Sequence, residues 1–217
     1  MASNEARKNA RPRLVVLGGG GHAKVAIETL RDADAFDIAG FLDRSDVGEE
    51  LIGANRLGDD TALAGLLGKG ISHVFPAVGN NSVRVRLGEQ ARAAGFQIAT
   101  AISPFAYISR SAQVGEGVLV VAGAVVNAET VIEDFVIINT NASVDHDGRI
   151  GAGAHIAPRC ALAGCVSVGA QTLVGVGSSV LPQVTIGANS TIGAGSCVVR
   201  DIPANAKAFG VPARIVS

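Results

Sequence analysis

From Ile102 to Val198 every sixth residue is Ile, Leu or Val, through Ile108, Val114 and Val120 to Ile186 and Ile192, without a slip. If about a quarter of residues are of these types, such a register arises by chance on the order of once in 10¹⁰. Two residues before each apolar position lies a small or β-branched one, from Thr100, Ala106 and Ala112 to Ser190 and Ser196. The residue after it is repeatedly Gly (Gly115, Gly151, Gly169, Gly175, Gly187, Gly193), read as a corner needing the conformational freedom of glycine. A period of six fits neither a helix nor a plain strand. It fits a coil of short strands with a corner every sixth residue, filled by one large and one small inward side chain per side. An ordinary β-sandwich does not hold one frame for so long. The composition agrees: 28 Gly, one Tyr and no Trp leave few side chains too bulky for a narrow interior.

This pattern resembles the hexapeptide-repeat left-handed parallel β-helix, in which three hexads make one triangular turn. Sixteen hexads then give a little over five turns. A solenoid has open ends; the lower one is expected to be covered by the first half of the chain. At the upper end, Gly210-Val211-Pro212-Ala213-Arg214 looks like the tail of hexapeptide-repeat acyltransferases. That resemblance implies a homotrimer with active sites between subunits.

The first half alternates strand and helix patterns. Arg13–Leu17 reads as a buried strand, His22–Ala33 as a helix, Asp37–Asp43 as a strand and Thr61–Leu67 as a short helix. His73–Gly79 is a third strand, Asn81–Ala94 a helix on Val83, Val85 and Leu87, and Gln97–Ile102 a strand leading into the coil. The alternation implies a parallel sheet. The expected organisation is a tail over 1–12, a Rossmann-like half domain over 13–100 and the β-helix with its C-terminal tail over 101–217. Gly18-x-Gly20-x-x-Ala23 stands between strand and helix, where helix N–H groups meet a phosphate. Asp43 lies near the place of a ribose-binding acid. NAD, a nucleotide sugar and a loop that merely turns the chain all remain open on these residues; the half-size domain favours the nucleotide sugar.

Of four histidines, His73 opens a strand and reads as structural, and His22 lies at the Gly loop. His146 stands in Asn141-Ala142-Ser143-Val144-Asp145-His146-Asp147-Gly148, the most polar stretch of the repeat. Val144 and Gly148 take inward slots, so His146 faces out near a corner. An adjacent carboxylate can orient the ring and favour its protonated form, as a general base requires. The competing reading is a solvated His–Asp pair. Cys160 takes an inward slot and is expected to be inert.

The G-G-x-G-H-x-K-V opening (Gly20, Gly21, His22, Lys24, Val25), Phe41-Leu42-Asp43, and Val78-Gly79-Asn80-Asn81 with Arg84, followed by an unbroken coil, resemble one family over residues 13 to 217. It is the nucleotide-sugar acetyltransferases related to sialic acid O-acetyltransferase and to the bacillosamine and perosamine N-acetyltransferases. The resemblance implies acetyl transfer from acetyl-CoA to the amine of a nucleotide-linked 4-amino-4,6-dideoxy sugar, GDP- or UDP-linked, in a ternary complex without metal. It places the base on His146, held by Asp147 where the family usually has Glu. It places acetyl-CoA contacts on His155, Gly164, Val176 and Ala194, with His155 donating to the thioester oxygen. It places nucleotide-sugar contacts on Gly20, Gly21, His22, Asp43, Arg44 and Gly79; Arg44 departs from the acid often found there.

Three readings compete with this one: sialic acid-type O-acetylation, a trimeric carbonic anhydrase-like zinc lyase, and a sugar-nucleotide sensor with an idle coil. The lyase needs three metal ligands and the coil offers only His146 and His155. A net charge of −1 and few aromatics argue against nucleic acid. No apolar run is long enough to span a bilayer, and the polar, basic N-terminus is not a secretory signal. Three cysteines without a CxxC pair fit a reducing cytoplasm.

Overall fold

The structure, a computed structural model, describes residues 11–216; up to residue 10, the expected tail lies outside them. Strands β1 (Arg13–Leu17), β2 (Asp37–Leu42), β5 (His73–Pro76) and β6 (Gln97–Ile98) form a parallel sheet in the order β2-β1-β5-β6. Between β2 and β5 run a small hairpin, β3 (Glu50–Leu51) with β4 (Ala54–Asn55), and a short helix, α2 (Leu63–Leu66), flanked by 3-10 turns. Side chains alternate across β1, so both faces need a cover. Leu14 and Val16 pack with Ala23, Ala26, Ile27 and Leu30 of α1 (Gly21–Ala33). Val15 and Leu17 pack with Leu87 and Ala91 of α3 (Asn81–Ala93). The chain leaves β1 toward β2 and leaves β5 toward β6, so the two central strands part in opposite directions. Ligands in open α/β sheets bind in the crevice that such a parting opens.

The coil begins at Ala101. Its rungs are two residues long, the first facing out and the second in, and each pairs in parallel with the rung 18 residues on, as Ile137 with His155. Three faces result, one carrying the outward row Ala101, Leu119, Ile137, His155, Leu173 and Thr191. Val120, Ile138, Ile156, Val174 and Ile192 stack inward behind it and are fully buried. Burial of each contributes about 1.5–3 kcal/mol, enough for strands this short to persist when stacked.

Corner geometry differs from the expected one. The left-handed position lies three residues beyond the inward side chain and is filled by Glu129, Phe135, Asn141, Asp147, Arg159, Cys165 and Gln171 as well as by glycines. The glycines directly after the inward residue have ordinary φ and answer a steric need. A Cβ on Gly169 would lie 2.3 Å from the Ala188 amide nitrogen of the next turn.

Three other expectations are corrected. The first half does not cover the lower end of the coil but packs against its flank: α1 covers Ala101, Leu119 and Ile137. Ile102, Ile108 and Val114 stay half-buried at the first turn, and Phe105 is 72% exposed. The strand expected over 97–102 divides, β6 joining the sheet and Ala101–Ile102 the coil. Helix α3 buries Arg84, Leu87, Gly88 and Ala91, with Val83 and Val85 only half-buried. At the upper end the tail folds back as an antiparallel hairpin, Lys207–Phe209 with Arg214–Val216, burying Ala208 and Ala213 against the core.

Candidate active site

The Gly loop follows β1 at the crevice. Gly18 has φ +114° and its N–H donates to Leu42 O (2.8 Å). A Cβ on Gly19 would lie 2.8 Å from the Phe41 ring, whereas Gly20 and Gly21 face open space. Gly20 caps α1 without a side-chain hydrogen bond and the first turn holds no acid, which leaves amides free for an anion. Asp43 braces this loop: its carboxylate accepts from Gly19 N–H (2.5 Å) and Arg44 N–H (2.7 Å). The Arg44 side chain is exposed and pairs with Asp46 (3.4 Å). Gly79 closes the other side, after β5.

Arg84 joins this loop to the coil. It is 1% exposed, and its guanidinium donates to Val78 O (3.0 Å), Gly79 O (3.2 Å), Asn81 Oδ1 (2.9 Å), Phe135 O (2.8 Å) and Gly153 O (2.8 Å). Its partners are neutral oxygens. Its charge therefore acts on its surroundings, and burial lowers its own pKa to about 10.

His155 occupies the outward row just beyond the part that α1 covers. Its ring lies 6.2 Å from that of His22, at the start of α1. Asn139 Oδ1 accepts from Thr140 N–H (2.8 Å), which turns Asn139 Nδ2 toward His155 Nε2 (3.0 Å). Nε2 is then an acceptor and the ring proton sits on Nδ1. Burial first, then the charges of Arg84 and His22, push the pKa of His155 down to about 3. Burial and Arg84 push His22 to about 4. Both rings are neutral at physiological pH. His22 Nε2 is buried with no protein partner among the described residues.

A cavity of about 740 Å³ runs from Gly79 and Asn81 over His155 and Leu173 to Val176 and Ala194. Three of the four expected acetyl-CoA contacts and one nucleotide-sugar contact thus share one groove. Gly164 is elsewhere, beside His146. A Cβ on Gly164 would lie 2.5 Å from His146 Nε2, so its absence lets the ring lie across the next turn. His146 Nδ1 bonds Asp147 Oδ2 (2.8 Å). That bond first, then the charges of Asp145 and Asp147, raise the pKa of the 57%-exposed ring. The carboxylate Asp145 also receives the His146 N–H (2.8 Å). The His146 corner joins a different pair of faces from the one whose corner carries Val176 and Ala194, and His146 does not line the groove of its own chain.

Two contributors were not singled out as site residues from sequence. Asn139 is the one amide in the row Ser103, Val121, Asn139, Ala157, Gly175, Gly193, a signal that stepping by 18 exposes. Arg84 shares the buried face of α3 with Gly88 and Ala91, where a charge signals a buried partner. Cys160 is buried as expected, with its pKa raised by burial. Three histidines do not converge: among the described residues the one group of three close metal-ligating side chains is His146, Asp147 and Cys165.

Residues 13–91 match the profile of the PglD N-terminal domain family. PerB of Caulobacter crescentus, solved with CoA and GDP-perosamine, superposes with a TM-score of 0.92 at 48% identity, over 96% of this chain and 99% of that one. His-to-Asn and His-to-Ala variants of that enzyme match equally well in fold. The acetyltransferase domain of PglB from Neisseria gonorrhoeae, also solved with acetyl coenzyme A, has a TM-score of 0.91 at 36% identity, over 95% of this chain and all of that one. With this likeness over nearly its whole length, an α/β half domain followed by a left-handed parallel β-helix, the chain belongs to the hexapeptide-repeat nucleotide-sugar N-acetyltransferase family.

Proposed function

We propose that the protein transfers the acetyl group of acetyl-CoA to the amine of a nucleotide-linked 4-amino-4,6-dideoxy sugar, with a GDP-perosamine-type acceptor as the first choice. The supporting observation is the continuous groove from the Gly79 loop over His155 to Val176 and Ala194. It offers a nucleotide sugar and a CoA thioester one meeting point. The PerB complex with GDP-perosamine, at 48% identity, favours that acceptor.

The nucleotide lies at Gly20, Gly21, His22, Asp43, Arg44 and Gly79, with its phosphates toward the free amides of α1. The amine nitrogen attacks the thioester carbonyl; a C–N bond forms, the C–S bond breaks and CoA leaves as its thiol. His155 Nδ1–H donates to the developing oxyanion. His146 Nε2 takes the amine proton while Asp147 holds Nδ1. The separation of the His146 corner from the groove supports a homotrimer in which the base of one chain, with Gly164 beside it, serves the groove of the next. Among the described residues no helix is long and apolar enough to cross a membrane. The three free cysteines support a cytoplasmic location.

Thiol release from acetyl-CoA, measured across GDP- and UDP-linked 4-amino-4,6-dideoxy sugars, their 4-hydroxy counterparts and CMP-sialic acid, tests the proposal. Turnover with the amino sugars alone is expected. Turnover confined to hydroxyl acceptors would move the function to O-acetylation, and silence with every sugar would reject this substrate class.

A further inference from the structure

The corner that carries His146 holds a third reactive group. Asp147 and Cys165 stand one full turn of the coil apart, and both take the left-handed corner position (φ +57° and +61°). Their side chains project from equivalent places on adjacent turns, which parallel strands space at about 4.8 Å. Cys165 N–H donates to His146 O (2.9 Å), fixing the two turns in register. A nitrogen of His146, a carboxylate oxygen of Asp147 and Cys165 Sγ lie within 4.8 Å of one another, and all three residues are exposed.

We propose that His146, Asp147 and Cys165 form a binding site for a thiophilic divalent cation of the Zn²⁺ or Cd²⁺ class. Imidazole nitrogen, carboxylate oxygen and thiolate sulfur are the donors zinc takes, and three of them leave a fourth position for water. The thiolate selects against Mg²⁺ and Ca²⁺. The same corner carries Glu129 one turn below and Gln183 one turn above, so the thiol falls on the turn that faces His146. Binding displaces the Cys165 thiol proton to solvent as the metal–sulfur bond forms. The cation is not a cofactor here. It occupies the His146–Asp147 pair, so a filled site blocks acetyl transfer. That consequence rests on His146 being the base; the site itself does not.

Cd²⁺ titrated into the metal-free full-length protein is the test, read by thiolate-to-cadmium ultraviolet absorption and by metal counted after dialysis. One Cd²⁺ per chain is expected, with the band kept in Cys197→Ser and lost in Cys165→Ser. His146→Ala should weaken binding by at least about tenfold, the least that loss of even a supporting partner costs a metal site. No band, a band that survives Cys165→Ser, or one lost in Cys197→Ser overturns the site. Transfer is followed in parallel, each protein against its own metal-free rate: Cd²⁺ should inhibit the wild type reversibly, and Cys165→Ser should resist. Cadmium bound through Cys165 with transfer unimpaired would leave the site standing and overturn the reading of His146 as the base.

Discussion

His155 and His146 lie in the same coil and are driven to opposite protonation behaviour by their surroundings. His155 is desolvated beside the Arg84 charge and stays neutral; His146 is exposed between two carboxylates and binds a proton more readily than free imidazole. In its proposed role as oxyanion donor, a neutral Nδ1–H does not change charge over the working pH range. His155→Ala is therefore expected to lower kcat by about 10²–10³, the usual effect of losing one oxyanion donor, with a smaller change in the acetyl-CoA KM. Asn139→Ala should lower kcat less, because it releases the tautomer without removing the ring. The pH profile separates the two histidines. A base must be deprotonated, so the acid limb of kcat/KM should lie above 6.5, where Asp147 and Asp145 have raised His146. Asp147→Asn removes the largest cause, and the limb should move to lower pH. A limb unmoved by Asp147→Asn would assign it to another group. A sugar amine that arrives neutral needs the base less than a hydroxyl does. His146→Ala is thus expected to fall short of the roughly 10²–10⁴ loss typical of general-base removal.

At the scale of elements, the coil was legible from sequence and its corners were not. Each inward position has one requirement, a β-branched or leucine side chain of fitting size, so its signal repeats without noise. The left-handed corner position accepts Asp, Asn, Glu, Gln, Arg, Cys, Phe or Gly, so no residue type announces it. The strand–loop–helix of the Gly loop was readable because Gly18 and Gly19 answer a positive φ and the Phe41 ring. The packing of that domain on the coil's flank was not, since Ala101, Leu119 and Ile137 look like any outward residues until α1 lies over them. Arg84 shows the same limit: its partners come from the β5 loop and two coil turns, which are distant in sequence. Arg84→Gln leaves several buried carbonyls without a donor. A loss of about 1–3 kcal/mol for each carbonyl left unsatisfied is expected in chemical denaturation. In any folded fraction the nucleotide-sugar KM should rise, because the Gly79 loop loses its tie to the coil. Gly164→Ala tests the other corner. Its Cβ displaces an exposed ring rather than backbone, so the melting temperature should hold while kcat falls.

For the whole molecule, burying two neutral histidines at the junction of sheet and coil links stability to pH. In the unfolded chain each titrates near 6.5; folded, His22 does so at about 4 and His155 at about 3. The unfolded state binds more protons between these values. Stability is therefore complete above pH 6.5 and falls by about 1.4 kcal/mol per pH unit per histidine as pH drops below it. Denaturation at pH 6.5 and 5, above the range in which most carboxylates titrate, should show a loss of stability toward the lower pH, and His155→Asn should reduce it. The same scale decides where catalysis happens. The groove lies at one corner of the triangular turn and His146 at the next, so in the proposed trimer a chain carrying only one intact half should work when a neighbour supplies the other. His146→Ala damages the base and leaves the groove; Ala194→Trp fills the groove and leaves the base. Each alone should be slow with the amine. Mixed in equal amounts under conditions that let subunits exchange, random assortment in a cyclic oligomer pairs an intact base with an intact groove at about a quarter of the sites. Activity should therefore rise toward about a quarter of the wild-type value. If the site were complete within one chain, mixing would give no more than the mean of the two variants. That result would remove the intersubunit site and require His146 to act within its own chain.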